Sequence, residues 1–208
     1  MKSAATIAAL LLFAGAPLFA QDRKVTLTPL YSRAEIQGEN DFGGSGFETD
    51  FEDGSGYGLS VNWFFNPHLS IDGAAFSLRS DADLHLAGTP IVDLGKLNLS
   101  IFTAGAQFHI LGDRRIDPYV GAGGAYIIGD DFLTTDLENA GVGRIELENE
   151  FTYYLNAGLA VQLTEGLGLV LDAREIAYEP STRSAVTGVE QDLEISPRIY
   201  SAGLRLRF

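Results

Sequence analysis

Hydrophobic residues recur at every second position along much of this chain, and that period governs the rest of the reading. Phe151, Tyr153, Leu155, Ala157, Leu159, Val161 and Leu163 alternate with Thr152, Tyr154, Asn156, Gly158, Ala160 and Gln162. Earlier in the chain, Tyr57, Leu59, Val61, Trp63 and Phe65 alternate with Gly58, Ser60, Asn62 and Phe64. Successive side chains of a strand point to opposite faces, so each segment is a strand with one greasy face; a helix would not keep this phase. The same pattern predicts further strands over residues 24–36, 68–79, 96–110, 117–128, 167–178 and 193–208, which makes eight.

The links between them alternate in length. Asn66-Pro67 and residues 111–116 and 164–166 are short, whereas 38–55, 80–95, 129–149 and 179–192 are long, polar and glycine-rich. Beyond residue 20 no stretch of about 20 apolar residues exists, so a membrane cannot be crossed by helices. A closed barrel is the other spanning solution, because it pairs every backbone N–H and C=O where water is absent. Period-two strands with alternating link lengths predict an all-β fold: an eight-stranded antiparallel transmembrane up-and-down barrel with short periplasmic turns, long extracellular loops and both termini periplasmic. Aromatics fall where two membrane interfaces would lie. Trp63, Phe64, Phe65, Phe108, Tyr119 and Phe208 are near the short turns, and Tyr31, Tyr57, Phe151 and Tyr153 near the long loops.

The start of the chain reads differently. Lys2 precedes a short apolar run over residues 4–19, the layout of a signal peptide spanning 1–20 and cut after Ala20, which leaves 21–208 as one barrel domain. That leader implies export to an oxidising compartment, yet the chain holds no cysteine, so no disulfide, thiolate nucleophile or cysteine metal site is available. A net charge of −14 argues against nucleic acid as a partner. The acids crowd into the long links, beginning with Glu39, Asp41, Glu48, Asp50, Glu52 and Asp53.

The segment Asp117-Pro118-Tyr119-Val120-Gly121-Ala122-Gly123, after a short turn and before a long loop, resembles the fifth strand of the OmpW family of bacterial outer-membrane barrels. The likeness continues through Leu155-Asn156-Ala157-Gly158, residues 169–176 and the ending 203–208. It implies a narrow barrel that passes or binds small hydrophobic molecules without enzymatic activity. A strand ending in Phe208 also resembles the signal by which the barrel-assembly machinery takes up its clients. The remaining partners implied are outer-membrane lipid and lipopolysaccharide.

An eight-stranded barrel is only wide enough inside for side chains, which disfavours a wide aqueous pore. Near the short turns, the inward phase carries a polar set: Asp72, Gln107, His109, Asn156, Asp172, Arg174, Arg205 and Arg207, with Asn62 and Gln162. Charges of both signs confined there are expected to pair. Nearer the long loops the same phase turns apolar, with Phe76, Leu78, Leu97, Leu99, Ile101, Ile176, Tyr178, Ile195 and Ile199. Two readings of that layer stand side by side. It is a vestibule for a lipophilic solute, with the polar set below blocking the axis and favouring sideways exit; or it is an ordinary core, in a filled structural barrel whose acidic loops mediate surface interaction.

Enzymatic chemistry finds little support in the sequence. His109 lacks the His-x-Ser spacing of lipid A deacylases, no Ser, His and acid share one strand face, and His68 sits in a turn beside Pro67. Isolated histidines of this kind are read as interfacial or network residues. Asp50, Glu52 and Asp53 match no calcium-loop spacing, and Gly121-Ala122-Gly123-Gly124 opens no helix, so neither a metal nor a phosphate-cradling cofactor is expected. Small residues there are expected to make room across a tight barrel.

Overall fold

Strands that stand in lipid leave no unpaired backbone only if the ribbon closes on itself. In the computed structural model the ribbon closes. It describes residues 24–37, 40–41, 47–51, 53–86, 89–112, 114–129, 145–147, 149–178, 181–184, 190–192 and 196–208. The elements are β1 (Val25–Gln37), β2 (Asn40–Asp41), β3 (Phe47–Phe51), β4 (Gly54–Asn66), β5 (Leu69–Leu86), β6 (Thr89–His109), β7 (Ile116–Gly129), β8 (Ile145–Leu147), β9 (Glu150–Gln162), β10 (Leu167–Ile176), β11 (Ser181–Ser184), β12 (Glu190–Asp192) and β13 (Ser196–Arg207). The eight long strands β1, β4, β5, β6, β7, β9, β10 and β13 form an antiparallel ring in which each follows its predecessor. First and last strands meet at Thr26↔Arg207, Tyr31↔Ala202 and Gln37↔Ser196. Inside this seam the Ser32 and Ser201 hydroxyls hydrogen-bond at 2.7 Å. The expected leader, residues 1–20, lies outside the described residues.

All four of the expected long loops are partly strand. β5 and β6 continue as one hairpin from Leu69↔Phe108 to Leu86↔Thr89, and β3 adds to its edge from Phe47↔Leu86 to Phe51↔Ala82. The alternation that predicts the barrel strands does not stop at Arg79: Ala82, Leu84 and Leu86 still alternate with Asp81, Asp83 and His85. Acidic residues mark a loop only when a strand there would have to bury them, and beyond the membrane a strand has water on its outer face. Register shifts near Ala82 and Leu84 mark where the regular ladder loosens. β11 also pairs with β8 and β12, so the last two long links share a small sheet.

The outer face is what a lipid-facing wall requires. Ile71, Phe102, Phe108, Val120, Leu155, Leu171 and Leu204 are all exposed, a burden for a soluble protein and a buried belt in a bilayer. Trp63 packs on Phe65 at 4.9 Å near the short turns, and Tyr31 meets Tyr57 edge-on at 5.7 Å near the other end. Two residues expected in the girdle are instead inside: Phe64 is 8% exposed and Tyr119 is 3% exposed. Phe64 shares the phase of Asn62, and Tyr119 that of Asp117, so strand parity outranks aromatic character.

The interior is tight enough to need glycine at specific points. A Cβ on Gly158 would collide with the Tyr119 phenol, and one on Gly105 would crowd the Tyr154 hydroxyl. Gly158→Ala is therefore expected to cost about 1–3 kcal/mol of stability through overpacking. Urea unfolding in detergent micelles measures it, and an unchanged midpoint would show that the Tyr119 ring yields without cost.

Candidate functional site

Inward-facing positions near mid-barrel are polar and almost wholly buried, so each must find partners within the ring. Around the ring, β10 and β5 lie four strands apart in either direction, on opposite walls. Arg174 on β10 spans that diameter and donates from Nη2 to Asp72 Oδ2 at 2.9 Å. Its Nη1 donates to the Thr103 hydroxyl, and its Nε lies 3.5 Å from Asp172 Oδ1, a charge contact without hydrogen-bond geometry. The guanidinium also lies over the Tyr154 ring at 4.6 Å and near the Phe76 ring at 5.2 Å.

Both carboxylates are hydrogen-bonded, Asp172 through Oδ2 alone, since its Oδ1 is buried without a hydrogen-bond partner. Asp72 Oδ1 accepts from Ser60 Oγ at 2.9 Å and Asn62 Nδ2 at 3.2 Å, and Asn62 Nδ2 also reaches Gln107 Oε1 at 2.7 Å. Asp172 Oδ2 accepts from Tyr119 at 2.9 Å and Asn156 at 2.8 Å. A cavity of about 10 Å³ between Asn62, Gln107, Asp172, Arg174 and Arg205 has room for roughly one water. This layer closes the axis.

Closer to the short turns, a second line of polar groups crosses three neighbouring strands. Ser70 Oγ lies 3.1 Å from His109 Nε2, and His109 Nδ1 lies 2.7 Å from Asp117 Oδ2. The connectivity is that of a nucleophile, base and orienting acid. The three share no strand face, and it is the neighbouring strands β5, β6 and β7 that align them. Ser70 is 1% and His109 0% exposed, under the Phe64 ring 4.7 Å away. In this conformation the line braces three strands and presents no open nucleophile. His68, in the turn, bonds the His109 carbonyl from Nδ1 at 2.8 Å.

Beyond the polar layer the interior is apolar. Phe76, Leu78, Leu99, Ile101, Ile176, Tyr178 and Ile199 belong to one buried cluster, none of them more than 3% exposed. The Leu97 and Ile195 side chains lie outside the described residues. The described members are buried against one another. One atom is out of place: the Tyr178 hydroxyl is buried without a hydrogen-bond partner.

At the short-turn end Arg205 and Arg207 face inward as expected. Arg207 lies against the Phe64 ring at 5.8 Å. Arg205 departs from the expectation that confined charges pair, since its recorded contact is the Tyr119 ring at 5.9 Å and its buried Nε has no hydrogen-bond partner. The structure thus joins Asp72, Gln107, Asn156, Asp172 and Arg174 in one network and places His109 in a separate brace. Sequence reasoning missed Ser60, Ser70, Thr103, Asp117, Tyr119 and Tyr154. Each shares the inward phase, so parity alone was the available signal. Among the described residues no cluster of His, Asp and Glu is arranged to hold a metal.

If the brace is structural, Ser70→Ala costs about 1 kcal/mol, and His109→Ala, which also leaves a cavity and strips Asp117, about 3 kcal/mol. A fluorophosphonate serine probe is expected to leave the folded protein unlabelled. Labelling at Ser70 would show that the line opens to solvent.

Comparison with known structures places this geometry. OprG of Pseudomonas aeruginosa shares the fold with a TM-score of 0.72 and 15% identity, over 88% of this chain and 95% of that one. AlkL, an outer membrane protein solved in lipid bilayers, gives 0.63 at 17% identity, covering 88% and 89% of the two chains. Neisserial surface protein A gives 0.58 at 14% identity, covering 89% and 97%. No curated protein matches the sequence. The family model of OmpW matches residues 17–208. With that match over an eight-stranded closed barrel, the chain belongs to the OmpW family of bacterial outer-membrane proteins.

Proposed function

We propose that this barrel is a receptor and narrow passage for small hydrophobic molecules, closed in the conformation described. The long links face outward and the short turns and both termini face the periplasm, so solute reaches the apolar layer from outside the cell. The Arg174 network bars the axis beneath it, which leaves a sideways path into the bilayer. Residues 1–20 serve as the cleaved leader, the strand ending in Phe208 as the mark read by the assembly machinery, and lipid with lipopolysaccharide as the surroundings of the belt.

The observation that carries this reading is the Tyr178 hydroxyl. A purely structural core has no use for a buried, unpartnered hydroxyl, which costs about 1–3 kcal/mol relative to one that is bonded. Phe at this position would pack as well. A lipophilic solute with one acceptor atom, displacing part of the layer, would satisfy it. Membership of the OmpW family supports the same class of solute. The second reading, a filled barrel serving surface interaction through its acidic links, draws on the packing of Leu78, Leu99, Ile101 and Ile176 itself.

Leu99→Asp places a charge in the layer and is expected to lower uptake of decanal several-fold in vesicles with a lipopolysaccharide outer leaflet. Unchanged uptake by a folded variant would favour the filled barrel. Tyr178→Phe is expected to raise stability by about 1 kcal/mol while weakening decanal binding. Loss of stability without loss of binding would remove the reason for the proposal.

A further inference from the structure

The three short turns differ in charge. Asn66-Pro67 and residues 164–166 hold no lysine or arginine, whereas residues 111–116 carry Arg114 and Arg115 against one acid, Asp113. In a chain of net charge −14 this is a local reversal of sign. Asp117, just beyond, is buried inside the ring and bonded to His109. Both arginines are exposed. Among the described residues neither guanidinium meets a carboxylate or a ring, unlike Arg33 on Asp53 and Arg198 on Glu175. The backbone that presents them is tied at both ends: Ile110 N–H donates to the Pro118 carbonyl at 2.9 Å, and Gln162 N–H to the Arg115 carbonyl at 2.7 Å.

The same turn is apolar beside its charges. Ile110 is 50% exposed, Leu111 41% and Ile116 52%. Ile110 continues the outward phase of Phe108, and Ile116 that of Val120, so both carry the lipid-facing wall past the aromatics of the short-turn end. Ile110 stands about 7 Å of strand beyond Phe108. The headgroup layer of a bilayer is about 5–7 Å thick on each face, so the turn lies at its depth. Exposed carbon next to unpaired cations, at the edge of a membrane, is the composition of an interfacial anchor: the carbon meets acyl chains and the cations meet phosphates.

We propose that the 111–116 turn docks an anionic glycerophospholipid, with Ile110, Leu111 and Ile116 against its acyl chains and Arg114 and Arg115 against its phosphate. Charge and apolar surface together select this partner, because a soluble anion would leave the three aliphatic side chains in water. Arginine suits the phosphate, which its planar fork contacts through two parallel N–H donors. The leaflet that supplies the lipid rests on the orientation proposed above: with the short turns periplasmic, it is the inner one. The docking itself depends neither on that orientation nor on passage of hydrophobic solutes.

The test titrates the refolded protein in uncharged detergent micelles with phosphatidylglycerol or phosphatidylcholine and reads the first bound lipid by native mass spectrometry. Micelles have no sides, so the result does not depend on how the barrel sits in the cell. Phosphatidylglycerol is expected to bind about five-fold or more tightly than phosphatidylcholine, the effect of one arginine at an anionic surface. That preference is expected to shrink as salt is raised. The double variant Arg114→Gln, Arg115→Gln is expected to lose it, and Arg114→Lys, Arg115→Lys to keep most of it. Heat-modifiable gel migration confirms that each variant is folded. Since the chain has no cysteine, Leu111→Cys takes a single polarity-sensitive dye. In nanodiscs containing phosphatidylglycerol, lipid carrying a headgroup nitroxide is expected to quench that dye.

Equal affinity for the two lipids, or a preference that survives the double glutamine variant, would overturn the assignment. So would a preference indifferent to salt, because the arginines would then contribute no charge. A dye at position 111 that aqueous iodide quenches and the lipid nitroxide does not would place the turn in water and give it to a soluble acidic partner instead. Selectivity for phosphatidylglycerol that needs Arg114 and Arg115, together with quenching from the lipid, supports the docking.

Discussion

A single guanidinium holds the two sides of this barrel together. Arg174 reaches from β10 across the ring to Asp72 on β5, and most of the interior is arranged around that contact. Charges taken out of water are costly, and only dense bonding offsets the expense. Asp72 therefore collects Ser60 and Asn62, while Tyr119 and Asn156 converge on Asp172. Aromatic faces from Tyr154 and Phe76 flank the guanidinium. The width of eight strands makes this possible, because it lets one side chain meet the opposite wall.

That strut divides the interior into three levels with different chemistry. On one side lies an apolar layer in which the Tyr178 hydroxyl is buried without a hydrogen-bond partner. On the other lies a mouth where Arg205 and Asp117 each keep an unused polar atom. The network between them also keeps unpaired atoms, at Asn156 Oδ1, Asp172 Oδ1 and Arg174 Nε.

Much of this was legible in the sequence because period-two alternation constrains both faces of a strand at once. Parity placed Asp72, Gln107, Asn156, Asp172 and Arg174 on the inward face without reference to distance. Identity by residue type was a poorer guide. Phe64 and Tyr119 look like girdle aromatics, yet parity turns them inward, where one covers His109 and the other bonds Asp172. The extension of β5 and β6 beyond Arg79 was hidden by acids that read as loop. Partners across the ring were out of reach, because the Ser70–His109–Asp117 line and the Arg174–Asp72 contact depend on register and stagger between strands. Alternation fixes which face a residue takes, and leaves open which neighbour it meets.

The account rests most heavily on Arg174 and Asp72 acting as one unit, which a double-mutant cycle in unfolding free energy measures directly. With Arg174→Met and Asp72→Leu, each single substitution strands a buried charge and is expected to cost about 3–5 kcal/mol. The double variant removes both members of this pair but leaves Asp172 with only Tyr119 and Asn156, and is expected to cost less than the sum of the two single substitutions. Costs that simply add, with no coupling between the two positions, would contradict a cross-barrel strut.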